Sequence, residues 1–143
     1  MKTGINPSIL TEEIQKYINA NLTADLHSLL LKKSPFAEVS MHEIAQHIKG
    51  KKVAQKKFPF LLWDGIIFPP NLNLEQASSQ STAEFNAKTL KGKNFLDLTS
   101  GFGIDAYFLS QNSDPVTLVE QNTELLETVK RNWHLLGRTA HLI

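Results

Sequence analysis

The sequence predicts an α/β protein, in which a helical N-terminal domain leads into the first two to three parallel strands of an open sheet. Three observations carry this. Apolar residues recur at three- and four-residue spacing through the first half. In the second half, short apolar runs (FLDL, VTLV) alternate with helical patterns. A glycine turn, SGFGID at 100–105, follows the first of those runs. Strand–helix alternation implies parallel strands joined by right-handed crossovers. We divide the chain into a helical domain over residues 1–57, a connector over 58–74 and a partial α/β domain over 75–143.

After Pro7-Ser8, the residues Ile9, Leu10, Ile14, Tyr17, Ile18 and Leu22 mark one face of a single helix. Thr23 is placed to cap a second, short helix carrying Leu26, Leu29, Leu30 and Leu31, which stops near Ser34-Pro35. Ser40-Met-His-Glu43 has the spacing of a capping box, in which hydroxyl and carboxylate each reach an orphan backbone N–H. The third helix then runs through Ile44, Ala45 and Ile48, with Gly50 as its end or its weak point. KGKKVAQKKFPF predicts a further basic helix up to Pro59. The connector, FPFLLWDGIIFPPNLNL, combines three prolines, Asp64-Gly65 and many large apolar residues. That mixture predicts an ordered, buried crossing with a turn or short hairpin at Asp64-Gly65.

Ser81-Thr-Ala-Glu84 is a second capping box and predicts a helix to about Leu90. Phe95-Leu-Asp-Leu98 predicts a buried strand, and Ile104 to about Gln111 a helix. Val116-Thr-Leu-Val119 predicts the second strand. Thr123 to about Leu136 predicts a helix with Leu125, Leu126, Val129, Trp133 and Leu136 on one face, and Gly137 suits its C-cap. His141-Leu-Ile143 reads as a third strand. Trp63 and Trp133 are both assigned to the core. There is no internal repeat.

Composition removes several functions. The chain has no Cys, which excludes disulfides, thiolate metal sites and Cys nucleophiles, and suits a reducing cytoplasm. No apolar run approaches the roughly 18–20 residues that span a bilayer. MKTGINPSILTEEIQ lacks the apolar core of a signal peptide. His42 and His47 are five apart, about 140° around a helix, so no metal site is expected. No Ser lies in a nucleophile-elbow sequence. The net charge of +1 divides unevenly: residues 1–70 hold nine Lys/Arg against six Asp/Glu, and residues 71–143 six against eight. Attraction to polyanions therefore belongs to the N-terminal half.

The glycine turn carries the chemistry. GFGIDA satisfies G-x-G-x-x-A, the turn of Rossmann-like dinucleotide-binding folds. Gly101 permits torsions that a Cβ forbids, and Gly103 lets a ligand approach the main chain. Free N–H groups at the start of the next helix suit pyrophosphate or carboxylate. Asp97, at the end of the first strand, suits an ammonium group and opposes a pyrophosphate. Asp105 adds negative charge in the first helical turn, which a zwitterionic amino acid tolerates better than a dianion. Glu120 ends the second strand nineteen residues after Gly101, where an acid can accept from both ribose hydroxyls. The pattern favours S-adenosylmethionine over NAD, with an NAD(P)-binding Rossmann domain as the alternative.

FLDLTSGFGIDAYFL followed by VTLVEQN resembles motifs I and II of the class I S-adenosylmethionine-dependent methyltransferases. With the preceding FPPNLNLEQASSQSTAEFNAKTLKGKN, it resembles a bacterial branch with a THUMP-like domain, distantly similar to the RNA cap guanine-N2 methyltransferases. The resemblance covers about residues 50–143 well, and residues 1–49 only as a helical N-terminal region. It implies a Rossmann-like methyltransferase fold. It also implies that Asp97, Thr99, Gly101 and Gly103 line the methionine end of S-adenosyl-L-methionine and that Glu120 holds the ribose. Gln76, Ser78, Ser79 and Thr82 match the segment leading into motif I and would lie over the amino-acid end. Ser78 and Ser79 are equally suited to loop and cap positions. In the family the adenine-contacting acid follows the third strand and the target-placing segment the fourth, so no catalytic residue can be assigned here. The expectation is an N-terminal portion of such an enzyme, inactive alone, whose open sheet edge favours self-association.

Lys49, Lys51, Lys52, Lys56 and Lys57 fall within nine residues and are followed by two Phe. Lys pairs with phosphate backbones and aromatics stack on unpaired bases, so this stretch is the expected contact for an RNA substrate. It is equally readable as a solvated helix face. A non-catalytic helical module for RNA or protein, with a vestigial nucleotide fold, is the other alternative.

Overall fold

The computed structural model describes residues 5–143. Pro7–Leu10 forms a 3₁₀ turn and helix α1 spans Glu12–Ala20. The single helix expected here is broken at Thr11, whose φ of −62° and ψ of 147° are extended. Asn6 caps the first piece by accepting from the Ser8 N–H, and Glu12 and Glu13 begin the second, where acids complement the positive helix end. Helix α2, Leu26–Leu30, is capped by Asp25 rather than Thr23, because the Asp25 carboxylate accepts from the Ser28 N–H at 3.1 Å.

Helix α3 spans Met41–Lys57, with both halves of the Ser40/Glu43 capping box formed. It does not stop at Gly50, and the basic stretch prolongs it instead of forming a helix of its own. A Cβ at Gly50 would lie 2.3 Å from the Phe68 Cβ. The glycine is there because the connector lies directly against the helix backbone.

The connector is buried as expected: Phe58, Leu61, Ile66, Ile67 and Phe68 are all core residues. Asp64-Gly65 forms a turn with Gly65 at φ +93°, and residues 58–74 contain no strand, so no hairpin forms. Trp63, expected inside, sits on that turn and is 68% exposed. The buried Asn132 side chain donates to the Ile67 carbonyl at 2.8 Å and accepts from the Ile67 N–H at 2.9 Å. Helix α4, Asn71–Gln76, follows the two prolines.

Helix α5 covers Gln80–Ala87. Its cap is Ser79, two residues before the expected Ser81, accepting from the Thr82 N–H at 3.2 Å. Strands β1 (Phe95–Asp97), β2 (Val116–Leu118) and β3 (His141–Leu142) form a parallel sheet in the order β1-β2-β3. Helices α6 (Ile104–Leu109) and α7 (Thr123–Leu135) are the crossovers. Gly137, at φ +79°, ends α7 by giving its N–H to His134, while Arg138 gives its N–H to Trp133. Leu118, Val129, Trp133 and Phe108 pack between sheet and helices. Leu96, Leu98 and Ile143 are 59%, 68% and 72% exposed. Strand β1 is thus covered on one face only, not buried on both.

Among the described residues two apolar clusters result. One joins Ile9, Ile14, Ile18, Leu29, Val39 and Ile48; the other runs from Ala54 and Phe58 through Phe68 and Leu74 to Trp133. His47 is buried beside Phe68, ring edge to ring face at 6.0 Å. Burial, then the Lys51 charge, press its pKa from 6.5 to about 4 against the opposing pull of Glu43. The unfolded chain therefore takes up this proton at a higher pH than the folded one. Stability should fall as pH drops below about 6.5, by about 1.4 kcal/mol per pH unit towards pH 5. Urea titrations at stepped pH test this, and His47→Phe should flatten the slope.

Candidate functional site

Strand β1 ends at Asp97, and the loop 98–103 turns the chain into α6. The loop is pinned to β2 by backbone: Ser100 N–H donates to the Val119 carbonyl at 3.0 Å, and Val119 N–H to the Asp97 carbonyl at 2.8 Å. Gly101 and Gly103 both have positive φ, +53° and +79°. Their surroundings differ. A Cβ on Gly101 would meet nothing within 4 Å. One on Gly103 would lie 3.0 Å from Val129 Cγ1 and 3.3 Å from Trp133 Nε1. Gly101 thus faces open space, while Gly103 is required for close packing of α7 against the loop. Gly103 therefore serves packing on its α7 side, and it also lines a cavity at the strand ends.

Glu120 follows β2 and reaches across to this loop. Its Oε2 accepts from the Gly101 N–H at 3.1 Å and its Oε1 from the Asn122 N–H at 2.8 Å. The two positions that the sequence pairs at nineteen residues' distance are therefore in direct contact. Two adjoining cavities, of about 270 and 760 Å³, share Asn73, Gln76, Thr99, Gly101 and Glu120 as walls and form one cleft at the strand ends.

Asp105 lines the smaller cavity. Its Oδ2 accepts from the Ser78 hydroxyl at 2.6 Å, while its Oδ1 is buried with no hydrogen-bond partner. Ser78 and Gln76 thus come to the cleft, Ser78 through Asp105. Ser79 and Thr82 do not line it: Ser79 caps α5, and its hydroxyl donates to Thr82 Oγ1 at 2.8 Å. Asp97 accepts from the Thr99 N–H at 3.0 Å and lines a groove along the open edge of β1 with Leu96 and Leu98, the last of which also lines the larger cavity of the cleft.

The five lysines divide. Lys57 donates to the carbonyls of Leu74 at 3.0 Å and Ala77 at 2.6 Å, holding the end of α4. Lys51 donates to Gln15 and Asn19, and burial lowers its pKa while Asp64 opposes the shift. These two are structural. Lys49, Lys52 and Lys56, at three- and four-residue spacing, share one side of α3. Sequence reasoning missed Asn73, whose only signal is a polar residue inside an apolar, proline-led run. It also missed the role of Lys57, which no local pattern announces. Among the described residues no three His, Asp or Glu side chains gather as metal ligands, and no helix is long and apolar enough to cross a membrane.

Among solved structures, a "putative methyltransferase" from Porphyromonas gingivalis W83 matches with a TM-score of 0.76 and 21% sequence identity. The two share a fold. The match covers 98% of this chain and 36% of that one, so this chain spans little more than a third of that protein's length. No family model matches, and no curated protein matches. The three-stranded sheet with its helical N-terminal half is accordingly a partial methyltransferase-like α/β fold.

The two glycines should respond differently to substitution. Gly101→Ala should cost about 1 kcal/mol, the penalty of a left-handed torsion alone. Gly103→Ala should cost more, about 2–4 kcal/mol, because overpacking against α7 adds to it. Chemical denaturation of both variants gives the order, and equal losses would contradict the packing role.

Proposed function

We propose that the chain is part of an S-adenosylmethionine-dependent methyltransferase, with the cofactor's amino-acid end at the Gly101 loop and its ribose at Glu120. The observation that carries this is the Glu120–Gly101 contact, because one nucleoside ligand can touch both ends of it. The residues fit such a ligand. Asp105 Oδ1 is a buried acceptor lacking a donor, and an α-ammonium group is a charged donor. The open side of Gly101 gives a ligand access to the main chain. Ser78 holds the Asp105 carboxylate in orientation, and Lys57 holds the backbone that carries Asn73, Gln76 and Ser78. When bound, the cofactor supplies an electrophilic sulfonium methyl. The reading gives these residues the holding of the cofactor, not the transfer step, in keeping with a likeness to a much longer chain. The THUMP-like branch is supported by the EQASSQSTA segment together with DLTSGFGID, and a cytoplasmic location by the absence of Cys.

A dinucleotide fits less well. Its pyrophosphate would meet the Asp105 carboxylate in the first turn of α6, and two negative groups repel there. Calorimetric titration distinguishes the two. S-adenosylmethionine should bind, and Glu120→Gln and Asp105→Asn should each weaken it about tenfold or more, near 1.4 kcal/mol. NADH binding that S-adenosylmethionine leaves untouched would refute the proposal.

We propose RNA as the methyl acceptor, approached along Lys49, Lys52 and Lys56, which form no ion pair among the described residues. Replacing all three by Glu should weaken binding of a single-stranded RNA and reduce the slope of log K against log salt by about 2. RNA binding without any S-adenosylmethionine binding would favour the non-catalytic module instead.

A further inference from the structure

A separate cavity of about 270 Å³ opens between α3, the connector and the first turn of α7. That is far more than the roughly 30 Å³ share of one liquid water. Phe68, Pro69 and Leu125 supply apolar walls, and His47 and Asn73 supply polar ones. His47 is 4% exposed, and its Nδ1 is buried with no hydrogen-bond partner. An unpartnered buried polar atom is uncommon in a folded protein and asks for an occupant. Asn73 also lines the cofactor cleft, so the two spaces adjoin.

The lining decides the chemistry. Among the described residues its charged members are Glu43 and Glu124, with no Lys or Arg, so phosphate or carboxylate is disfavoured inside. A neutral imidazole offers one donor and one acceptor, and an amide offers both. Nucleobase edges present the same adjacent donors and acceptors. Cations lie just outside. Gln46 lines the cavity, and Lys49 follows it by about one turn of α3, at the start of the lysine stripe. The helix therefore places a hydrogen-bonding hollow that disfavours anions beside a basic surface.

We propose that this cavity receives one uncharged nucleobase of an RNA strand, with the strand's phosphates outside along Lys49 and Lys52. This deepens the RNA reading above and rests on it. Free nucleosides carry no phosphate, so they test the cavity apart from the lysines. Adenosine, guanosine, cytidine and uridine are titrated into the whole chain while the His47 ring nitrogens are followed by NMR. At least one should move the His47 Nδ1 resonance saturably. His47→Phe, which keeps a ring against Phe68 and removes both nitrogens, should lower that affinity tenfold or more while leaving S-adenosylmethionine affinity within about twofold. Should that variant unfold, Thr128→Val, which removes a hydroxyl from this cavity's wall and lies outside the cofactor cleft, gives the same nucleoside readout. If no nucleoside up to about 10 mM, a bound of roughly −3 kcal/mol, disturbs His47, the cavity holds only water and the proposal falls, even where an RNA strand still binds the lysines. Nucleoside binding without salt-dependent RNA binding would keep the cavity and discard the RNA reading.

Discussion

The buried amide of Asn132 holds the fold's two halves in register. It is 2% exposed and both donates to and accepts from the backbone of Ile67, 65 residues away. A backbone peptide crossing the interior has to be hydrogen-bonded, and leaving it unpaired costs about 1–3 kcal/mol. The connector has no strand partner of its own, so Asn132 acts as a substitute strand for one residue. With Ile67 fixed, Phe68 falls against α3 where only Gly50 leaves room. The following prolines then start α4, and Lys57 takes the carbonyls at its end. Asn73, Gln76 and Ser78 reach the glycine loop by this chain of contacts, which begins on α7 and passes through α3.

The cleft is held open by charge as much as by shape. Glu120 braces the loop through the Gly101 N–H, and Ser78 braces Asp105. Both braces are polar bonds to carboxylates, which are stronger than neutral ones. The result is an acidic rim around a glycine with free space above it. Such a rim tolerates a zwitterion and opposes a dianion. The strand order β1-β2-β3 is common to nucleotide-binding folds of several kinds, so topology alone does not select a ligand.

Local signals in the sequence were read well where the physics was local. The Ser40/Glu43 capping box, the Gly137 stop and the spacing from Gly101 to Glu120 each depend on residues within one turn or one βαβ unit, and each forms. The first helix broke at Thr11 and the α5 cap moved to Ser79 because several residues there could cap, and tertiary packing chose among them. Trp63 was assigned inward on size alone. The turn at Gly65 carries it outward, since Leu135 closes on the inner side.

The sequence by itself therefore determined the parallel strands, the glycine turn and the acid that meets it, because period, torsion and short-range spacing are encoded residue by residue. Tertiary structure alone decided which side chains are available. It gave Lys51 and Lys57 to internal bonds, Ser79 and Thr82 to a helix cap and Asp97 to the outer edge, and it brought Asn73 and His47 to cavities. Hydrogen-bond partners across 20 or more residues follow from where the backbone is packed, and no local pattern specifies that.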